Sequence, residues 1–312
     1  MNGKTVLVTG GFGNLGSYIA KHLINLNYEV TILTRKKKKK FENLKYKVIE
    51  CDIVNFKKLK LKLKYKFDFC VHCASYNELL SNDYPENAIK INSLGTRNLI
   101  EALNLNYLKN FIYFSTYHVY GLSSGIINEN TPLNPKNDYS STHLFAEYYI
   151  SQIANTKRLK YTILRLTNSY GVPTFKDTDK WYLVINNLAK MAFDQHKITL
   201  NTNGEIKRDF IGMNDVAKIT NKIFKKKATN DVYNLSSNKT LKIIQLANIV
   251  KKIYETRYKK KIEIIVNNSV KKKEHPNLYV QNKKIKEIIK FHLYDDLEIE
   301  INKIFDMLEY NK

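Results

Sequence analysis

Cysteine is scarce in this sequence: the 312 residues include three, Cys51, Cys70 and Cys73. This low, odd count gives no disulfide framework and fits a reduced compartment, so we expect a cytoplasmic location. Cys70 and Cys73 form a C-x-x-C pair, but a zinc site needs about four ligands and a second pair is missing. Because the segment FDFCVHCAS has the pattern of a buried strand, the two side chains should point to opposite faces. We therefore predict two core cysteines and no metal site.

Long apolar runs are also missing. No run reaches the roughly 20 residues that a membrane-spanning helix needs, so we expect no membrane partner. The N-terminal stretch MNGKTVLVTGG leads directly into a strand and lacks the basic segment, the apolar segment and the cleavage site of a secretory signal. We expect no signal peptide. Hydrophobic residues still make up 43% of the sequence, which is enough for a sizeable core.

Acidic residues are few, 29 against 52 basic ones, and the net charge is +23. A basic surface can bind nucleic acid, an anionic membrane or an anionic small substrate. The run from Lys36 to Lys40 follows a predicted strand and has the pattern of a solvated loop. Lysine is abundant along the whole chain, and no motif combines basic with stacking aromatic residues. We therefore predict no nucleic-acid partner.

The first half of the sequence alternates short apolar runs with helical patterns. The predicted strands are KTVLVTG, YEVTILT, KYKVIECD, FDFCVHCAS, NFIYFST and YTILRLT, and the predicted helices are NLGSYIAKHLINLN, NAIKINSLGTRNLIEALNLN and residues 139–157. This alternation predicts an α/β fold with a doubly wound parallel sheet. Past about residue 168 it becomes irregular. We predict a dinucleotide-binding domain over 1–167 and a smaller, mainly substrate-binding domain over 168–312, with some later segments returning to the first domain.

The strongest single motif is the glycine-rich stretch VLVTGGFGNLGSYIA, which runs from a strand into a helix. Glycine lets the backbone turn tightly and approach a pyrophosphate, which then lies on the N-terminus of the helix. The motif has the strand–turn–helix context that a dinucleotide site requires. The predicted cofactor-binding residues here are Gly10, Gly13, Asn14, Leu15 and Gly16.

The choice between NAD and NADP depends on the next strand ends. An NAD site usually has an acidic residue after the second strand, whereas this chain has Thr34 and Arg35 there. Arg35 could hold the 2′-phosphate of NADP, so the residues alone favour NADP. Asp52, after the third strand, either contacts the adenine or caps the following helix. Ile53 and, at the end of the fourth strand, Ala74 are further candidate contacts to the cofactor.

The chain resembles, from end to end, the extended short-chain dehydrogenase/reductases of the NAD-dependent epimerase/dehydratase type, which modify nucleotide sugars. The motifs that carry this resemblance occur in the family's order as TGGFGNLG, HCAS, NSLGTRNL, STYHVYG, RLTNSYG, RDFIGMNDVA and YNL. The resemblance implies a Rossmann-type domain and a smaller C-terminal domain over the nucleotide sugar. It also implies a homodimer that pairs through the helices carrying Asn92 and Tyr139.

The resemblance implies roles for individual side chains. Tyr139 stands where the family has the acid or base at a sugar hydroxyl, and Thr116 where a side chain bonds the same oxygen. Asn168 and Arg208 match contacts to the nucleotide diphosphate. From the residues alone, Asn168 could instead satisfy a turn, and Arg208 could pair with Asp209.

The first departure from the family pattern lies at Tyr117 and His118, two further candidate substrate contacts. The dehydratase branch has Asp and Glu at these positions, and this pair moves the protons that expel water. Without the pair, elimination across C5 and C6 lacks its acid and base. Oxidation, reduction or C4 epimerisation needs one proton at the hydroxyl and a hydride transfer. His118 is either an acid in that chemistry or a packed side chain.

The second departure is His143, one helical turn after Tyr139, where the family has a lysine. The lysine holds the nicotinamide ribose, and its charge lowers the tyrosine pKa from its usual ~10. A histidine ring can bond the ribose, but it is largely neutral at pH 7 unless its pKa is raised. We predict an active but altered site in which Tyr139, Thr116 and His143 act and in which Tyr139 and His143 also contact the cofactor.

The sequence thus predicts a nucleotide-sugar oxidoreductase that moves hydride between C4 of the sugar and NAD, with Tyr139 as base. NAD is placed before NADP because family members with this chemistry mostly use NAD. The narrower expectation is a 4-dehydrogenase for a GDP-linked sugar such as GDP-heptose. Two alternatives stay open: an NDP-sugar 4-epimerase, and an inactive protein of this fold that binds nucleic acid or regulates.

Overall fold

The computed structural model of the protein describes residues 3–35, 40–175, 178, 180–267 and 277–310. Its strands are β1 (Thr5–Thr9), β2 (Glu29–Thr34), β3 (Lys47–Glu50), β4 (Phe69–His72), β5 (Asn110–Thr116), β6 (Gly125–Ile127), β7 (Tyr161–Leu166), β8 (Asn168–Tyr170), β9 (Lys197–Leu200), β10 (Lys207–Gly212), β11 (Asp231–Leu235), β12 (Thr240–Lys242), β13 (Glu263–Val266) and β14 (Leu278–Val280). The predicted loop Lys36–Lys40 lies outside the described residues except for Lys40.

The α-helices alternate with these strands in the first half of the chain. They are α1 (Asn14–Asn25), α2 (Phe56–Lys62), α3 (Glu78–Asp83), α4 (Pro85–Ala88), α5 (Gly95–Ala102), α6 (Asp138–Thr156), α7 (Val184–Gln195), α8 (Met213–Phe224), α9 (Ile243–Tyr258), α10 (Lys283–Ile288) and α11 (Leu297–Tyr310). A π-helical segment, Ile89–Leu94, joins α4 to α5, and Tyr117–Tyr120 form a 3-10 turn. Among the described residues, no helix is long and apolar enough to cross a membrane.

The central sheet has seven strands in the order β11-β7-β5-β4-β1-β2-β3, and all neighbouring strands are parallel. The predicted α/β fold with a doubly wound parallel sheet is confirmed. The chain first winds from β1 to β3 and then crosses to β4 on the other side of β1. In such sheets, ligands bind outside the carboxyl ends of the strands at this switch point. The loops after β1, β4 and β5 meet there.

The two faces of the sheet are buried in separate cores, as expected when helices cover both sides. Phe69 and Val71 of β4 pack into the core that contains α1, whereas Cys70 packs into the core beneath α5 and α6. Cys73 lies against the first core and Cys51 in the second. The prediction that Cys70 and Cys73 point to opposite faces of a buried strand is confirmed.

The C-terminal half contributes to both parts of the molecule. Strand β11 forms an edge of the central sheet, and α8 packs against α1 in the first core. Helices α7, α9 and α11 share a third core with strands β9 and β10. The irregular pattern past residue 168 thus includes segments that complete the central sheet and segments that form a separate core.

Helix α6 is fixed at its start by a capping box. The side chain of Asn137 accepts the Ser140 N–H at 2.8 Å, and the Asn137 N–H reaches the Ser140 hydroxyl at 3.4 Å. This cap places Tyr139 in the first turn of the helix. His143 and Glu147 follow at four-residue steps, so all three lie on one face of the helix, towards the sheet.

Candidate active site

The glycine turn after β1 brings the backbone close to the end of β4. Gly10 has a φ of +65°, and a Cβ there would come within 2.8 Å of the Ala74 backbone nitrogen. The Gly13 N–H donates to the Gly10 carbonyl at 2.8 Å, which closes the turn. A Cβ at Gly16 would overlap the same carbonyl. The geometry accounts for Gly10 and Gly16, and Ala74 lies against the turn.

The N-terminus of α1 is open towards the cavity in front of this turn. In the part of the chain that the structure describes, no side chain caps the helix, and its first residues, Asn14 and Leu15, line the cavity. Asn14 Oδ1 is buried and has no hydrogen-bond partner among the described residues. Uncapped N–H groups at a helix start are a site for phosphate oxygens. The residues therefore fit the pyrophosphate of a dinucleotide such as NAD.

The candidates for the adenosine side lie apart from this cavity. Arg35 is exposed directly after β2, as predicted from its position. Asp52 Oδ1 accepts the Val54 N–H at 3.0 Å in a local turn, whereas Asn55 caps α2 through the Lys58 N–H. The capping alternative for Asp52 is therefore wrong, because the N-cap of α2 is Asn55, three residues later. Its contact to adenine stays a prediction, as does that of the buried Ile53.

A cavity of about 400 Å³ runs from the glycine turn to the C-terminal half. Ten residues that the sequence singled out line it: Gly13, Asn14, Leu15, Thr116, Tyr117, His118, Tyr139, His143, Asn168 and Arg208. The other six are not among its lining residues: Gly10, Gly16, Arg35, Asp52, Ile53 and Ala74. The structure thus brings the predicted reactive groups and the predicted substrate contacts into one space.

Tyr139 is half-buried at the wall of this cavity, which Thr116 at the end of β5 also lines. Desolvation raises the pKa of the Tyr139 phenol, and the negative charge of Glu78 and the nearby Tyr182 raise it further. The Thr116 hydroxyl lowers the pKa of the phenol, but this effect is smaller than that of desolvation. The phenol is therefore protonated at neutral pH in the protein alone.

His143 is buried, with 2% of its surface exposed, and both ring nitrogens have protein partners. Nδ1 lies 2.7 Å from the Tyr113 hydroxyl, and Nε2 lies 3.0 Å from Ser75 Oγ. Burial and the neighbouring His118 lower the pKa of His143 to about 3. The ring is therefore uncharged at neutral pH, which agrees with the expectation that histidine here gives little charge. Any bond from this ring to a ribose would require it to give up a protein partner.

Tyr117 and His118 lie in the 3-10 turn after β5, and their rings are 4.3 Å apart. The pKa of the Tyr117 phenol is raised by burial, although Arg208 and a hydrogen bond with Asn168 oppose this. Burial lowers the pKa of His118, while the carboxylate of Glu78 acts in the opposite direction. His118 is thus a cavity side chain with an acidic neighbour.

The two candidate diphosphate contacts lie on adjacent strands of a small sheet. Asn168, in β8, donates its amide to the Asp209 carbonyl at 2.9 Å. The Asp209 carboxylate is buried and bonded by Thr167, Ser237 and the Lys239 N–H at 2.7 to 3.1 Å. These groups satisfy Asp209 among the described residues, and Arg208 lines the cavity instead.

The cavity residues that were not identified from the sequence include four with polar side chains: Ser75, Glu78, Lys180 and Tyr182. Lys180 Nζ donates to the Tyr182 hydroxyl at 2.5 Å. Asn137 Nδ2 donates to Glu78 Oε1 at 3.2 Å, which ties α3 to the start of α6. Ser75 ends the motif HCAS, so the sequence could have identified it. Glu78, Lys180 and Tyr182 stand in no motif, and only the path of the chain brings them to the site.

Asn92 supports the site from behind. Its Oδ1 accepts the Tyr76 N–H at 2.6 Å, and its Nδ2 donates to Thr142 Oγ1 at 3.0 Å. These bonds hold the loop after β4 against α6, one residue from Ser75 and one from His143. The supporting role implied by the NSLGTRNL motif therefore has a structural counterpart.

Comparisons with known proteins show the family to which the chain belongs. The model of the NAD dependent epimerase/dehydratase family matches residues 6–236. A putative UDP-glucose 4-epimerase of Methanocaldococcus jannaschii is 30% identical over 252 residues, which are 79% of this chain and 81% of that protein. The dTDP-D-glucose 4,6-dehydratase of Dictyostelium discoideum is 27% identical over 277 residues; the match spans 75% of this chain and only 58% of that protein.

The fold has a close counterpart among solved structures. The UDP-glucose 4-epimerase of Thermotoga maritima, solved with UDP-glucose, superposes with a TM-score of 0.83 at 23% identity, over 98% of this chain and 99% of that one. The family model covers most of the chain, including the glycine turn, Thr116, Tyr139 and Arg208. The chain therefore belongs to the NAD-dependent epimerase/dehydratase family, and it is an enzyme of that family.

Proposed function

We propose that the protein catalyses NAD-dependent oxidoreduction at C4 of a nucleotide sugar, with Tyr139 as the group that takes or returns the hydroxyl proton. The observation that carries this proposal is that Tyr139 and Thr116 both line one cavity, which joins the uncapped start of α1 to Arg208. The relatives named for UDP-glucose and dTDP-glucose support a nucleotide sugar as the substrate class.

The chain's own residues would divide the work along the cavity. The turn at Gly10–Gly13 and the first turn of α1 would bind the dinucleotide's phosphates, and NAD, when bound, accepts or gives the hydride. Thr116 and Tyr139 would bond the same sugar oxygen, so the hydroxyl proton would move to the ionised Tyr139 oxygen, the phenolate, as the hydroxyl is oxidised. Arg208 would hold the substrate diphosphate, because guanidinium binds phosphate oxygens in a bidentate manner. In this arrangement the charged phosphates would be bound away from the carbon that reacts.

NAD rather than NADP is our proposal for the physiological cofactor. The family's designation supports NAD, whereas the exposed Arg35 after β2 is the feature that could receive a 2′-phosphate. Parallel titrations with NAD and NADP, repeated with Arg35→Ala, test this choice. Equal or tighter binding of NADP that is lost in Arg35→Ala would reverse it.

A 4-epimerase is the second candidate, and the relatives from Methanocaldococcus and Thermotoga favour it. An epimerase keeps its ketone intermediate and returns the hydride to the other face, so no net NADH accumulates. A 4-dehydrogenase releases the ketone and gives one NADH per turnover. Incubation with UDP-, dTDP- and GDP-linked hexoses and GDP-heptose, followed by absorbance and product analysis, distinguishes the two.

The GDP-linked sugar remains our narrower proposal, and turnover of only the UDP or dTDP sugars would contradict it.

We also propose that the protein is a cytoplasmic homodimer. Apolar side chains are exposed on the outer side of α6 and the helix that packs beside it, including Ile89, Leu94, Phe145 and Tyr148. An exposed apolar patch of this kind is typical of an interface. Light scattering should give twice the monomer mass, and Phe145→Glu should give monomers.

Turnover of any nucleotide sugar would rule out the alternative of an inactive regulatory protein.

A further inference from the structure

A chain of hydrogen bonds runs from the interior of the sheet to the cavity through His143. The Tyr113 hydroxyl, on β5, is 2.7 Å from Nδ1, and Nε2 is 3.0 Å from Ser75 Oγ. Ser75 Oγ in turn bonds the Tyr76 carbonyl at 3.0 Å. Tyr113 is buried, whereas Ser75 is exposed and lines the cavity. This hydrogen-bond chain therefore has one buried end, at Tyr113, and one end, at Ser75, that a ligand can reach.

The number of hydrogens that each group carries determines which atoms donate and which accept in this hydrogen-bond chain. A serine hydroxyl has one hydrogen, and the Ser75 hydroxyl gives it to the Tyr76 carbonyl, which can only accept. Ser75 Oγ must then accept from the ring, so Nε2 of His143 carries a hydrogen. In a neutral ring, Nδ1 is the acceptor, and the Tyr113 hydroxyl donates to it. Every group in the chain is satisfied by this one neutral tautomer.

The far end of the chain is anchored independently. Asn92 bonds both backbone groups of Tyr76, its N–H at 2.6 Å and its carbonyl at 3.4 Å. The Tyr76 carbonyl is therefore held where the Ser75 hydroxyl can reach it. The hydrogen of Ser75 is fixed by a group that lies outside the cavity, so a ligand does not have to order it.

The ionisable groups around the ring give it no charged partner. Tyr139 precedes it on α6, Tyr113 faces it from β5, and His72 and His118 approach from the ends of β4 and β5. His72 is itself buried and bonds Thr9 and Thr96. None of these groups is a carboxylate, and the buried carboxylate of Glu147, one turn further along α6, is already paired with Arg165 and bonded by Ser115.

We propose that Tyr113 and Ser75 are positioning residues that hold His143 in the neutral Nε2–H tautomer, and that the Ser75 hydroxyl oxygen, rather than a charged side chain, is the hydrogen-bond acceptor offered to a ribose hydroxyl of the cofactor. Ser75 Oγ keeps one lone pair after accepting from Nε2–H. It lines the same cavity as the start of α1 and Tyr139, and its partner His143 stands at the position where the family has the lysine that holds the ribose. The ribose contact rests on the proposed function; the tautomer does not.

Nitrogen NMR of the cofactor-free protein, labelled with ¹⁵N-histidine, tests the tautomer directly. We expect His143, assigned by its loss in His143→Gln, to show a protonated Nε2 and an unprotonated, hydrogen-bonded Nδ1 from pH 6 to 8. Tyr113→Phe should shift Nδ1 towards the value of a free acceptor and leave Nε2 protonated. Tyr161→Phe is the matched control, because it removes another buried-strand hydroxyl, bonded to Ser151, and should leave both resonances unchanged.

Calorimetric titration with NAD tests the ribose contact. Ser75→Ala should weaken NAD binding about three- to tenfold, the loss expected for one neutral hydrogen bond. Ser75→Thr, which keeps the hydroxyl, should restore most of the affinity.

A protonated Nδ1, or a ring that titrates near pH 6.5, would overturn the tautomer even if the enzyme turns over. Unchanged affinity in Ser75→Ala would overturn the ribose contact. Absent NAD binding with the expected tautomer would instead count against the proposed function alone.

Discussion

The ring of His143 lies edge-on to the ring of Tyr139, with the two centroids 4.5 Å apart. A lysine at position 143 would bring a positive charge to this side of the phenol. The histidine brings an uncharged ring that is bonded on both nitrogens. Tyr139 therefore receives no positive charge from position 143 that would stabilise its phenolate.

The glycine turn gives the first prediction. Gly13→Val should abolish detectable NAD binding, because its side chain would lie in front of the uncapped α1 N-terminus, where the pyrophosphate must approach. The backbone at Gly13 has a φ of −78°, which valine can adopt, so the variant should fold. Calorimetry measures the affinity, and circular dichroism checks the fold. Gly13→Ala is the graded control and should bind more weakly than wild type. Unchanged affinity in a folded Gly13→Val protein would contradict the site.

The second prediction concerns dehydration. Because Tyr117 and His118 stand where the dehydratase branch has its acid and base, no nucleotide hexose should yield a 4-keto-6-deoxy product. Mass spectrometry of the products should show no loss of water, alone or with added NAD. A product lighter by one water would show that another group supplies the proton transfers. Glu78 would then be the first residue to replace, because its carboxylate lies in the cavity near His118.

A buried ion pair beneath the site gives a prediction about stability. Arg165 bonds the Glu147 carboxylate at 2.6 Å, both side chains are about 5% exposed, and the Ser115 hydroxyl bonds the same carboxylate at 2.5 Å. Glu147→Ala should lower the free energy of unfolding by about 3–5 kcal/mol, because it leaves a buried guanidinium without its partner. Urea denaturation measures the loss. Lys157→Ala is the control: it removes the exposed Lys157–Glu101 pair and should cost less than about 1 kcal/mol.

The sequence predicted six of the seven strands of the central sheet, all but β11, because each of the six is a short apolar run that local pattern defines. It also predicted that Gly13, Thr116, Tyr139 and Arg208 belong to one site, since each stands in a motif with a fixed place relative to a strand end. The partners of His143 could not be predicted in this way. Tyr113 and Ser75 lie 30 and 68 residues from it along the chain, and only the packing of α6 on β5 and β4 brings them together.

The same limit applies to the second half of the chain. Strand β11 pairs with β7, and α8 packs on α1, although about 65 and 200 residues separate the paired segments. Lys180 and Tyr182 enter the cavity from the segment before α7, which has no repeating apolar pattern. Their positions follow from the chain's path over the carboxyl edge of the sheet, which the local sequence does not encode.

The proton chemistry of Tyr139 can be tested with two substitutions. Tyr139→Phe should reduce turnover by about 10²- to 10⁴-fold, the usual contribution of a general acid or base, and leave NAD affinity within about twofold. His143→Ala should weaken NAD binding, because Ser75 loses its partner, and should leave the pH profile little changed. Steady-state kinetics and calorimetry separate these effects. Fast turnover in Tyr139→Phe would mean that the proton moves elsewhere, with His118 the next candidate.

The pH dependence of kcat for oxidation, measured at saturating NAD for the wild type and His143→Lys, tests the central claim most directly. The active base is the phenolate, and desolvation raises the pKa of Tyr139 above its ordinary value, so the ionised fraction grows as pH rises. Wild-type kcat should therefore increase up to about tenfold per pH unit through the neutral range and into the alkaline range. The fixed charge of His143→Lys should stabilise the phenolate and move this rise to lower pH by about one unit or more. A wild-type plateau at neutral pH that His143→Lys leaves in place would contradict the account.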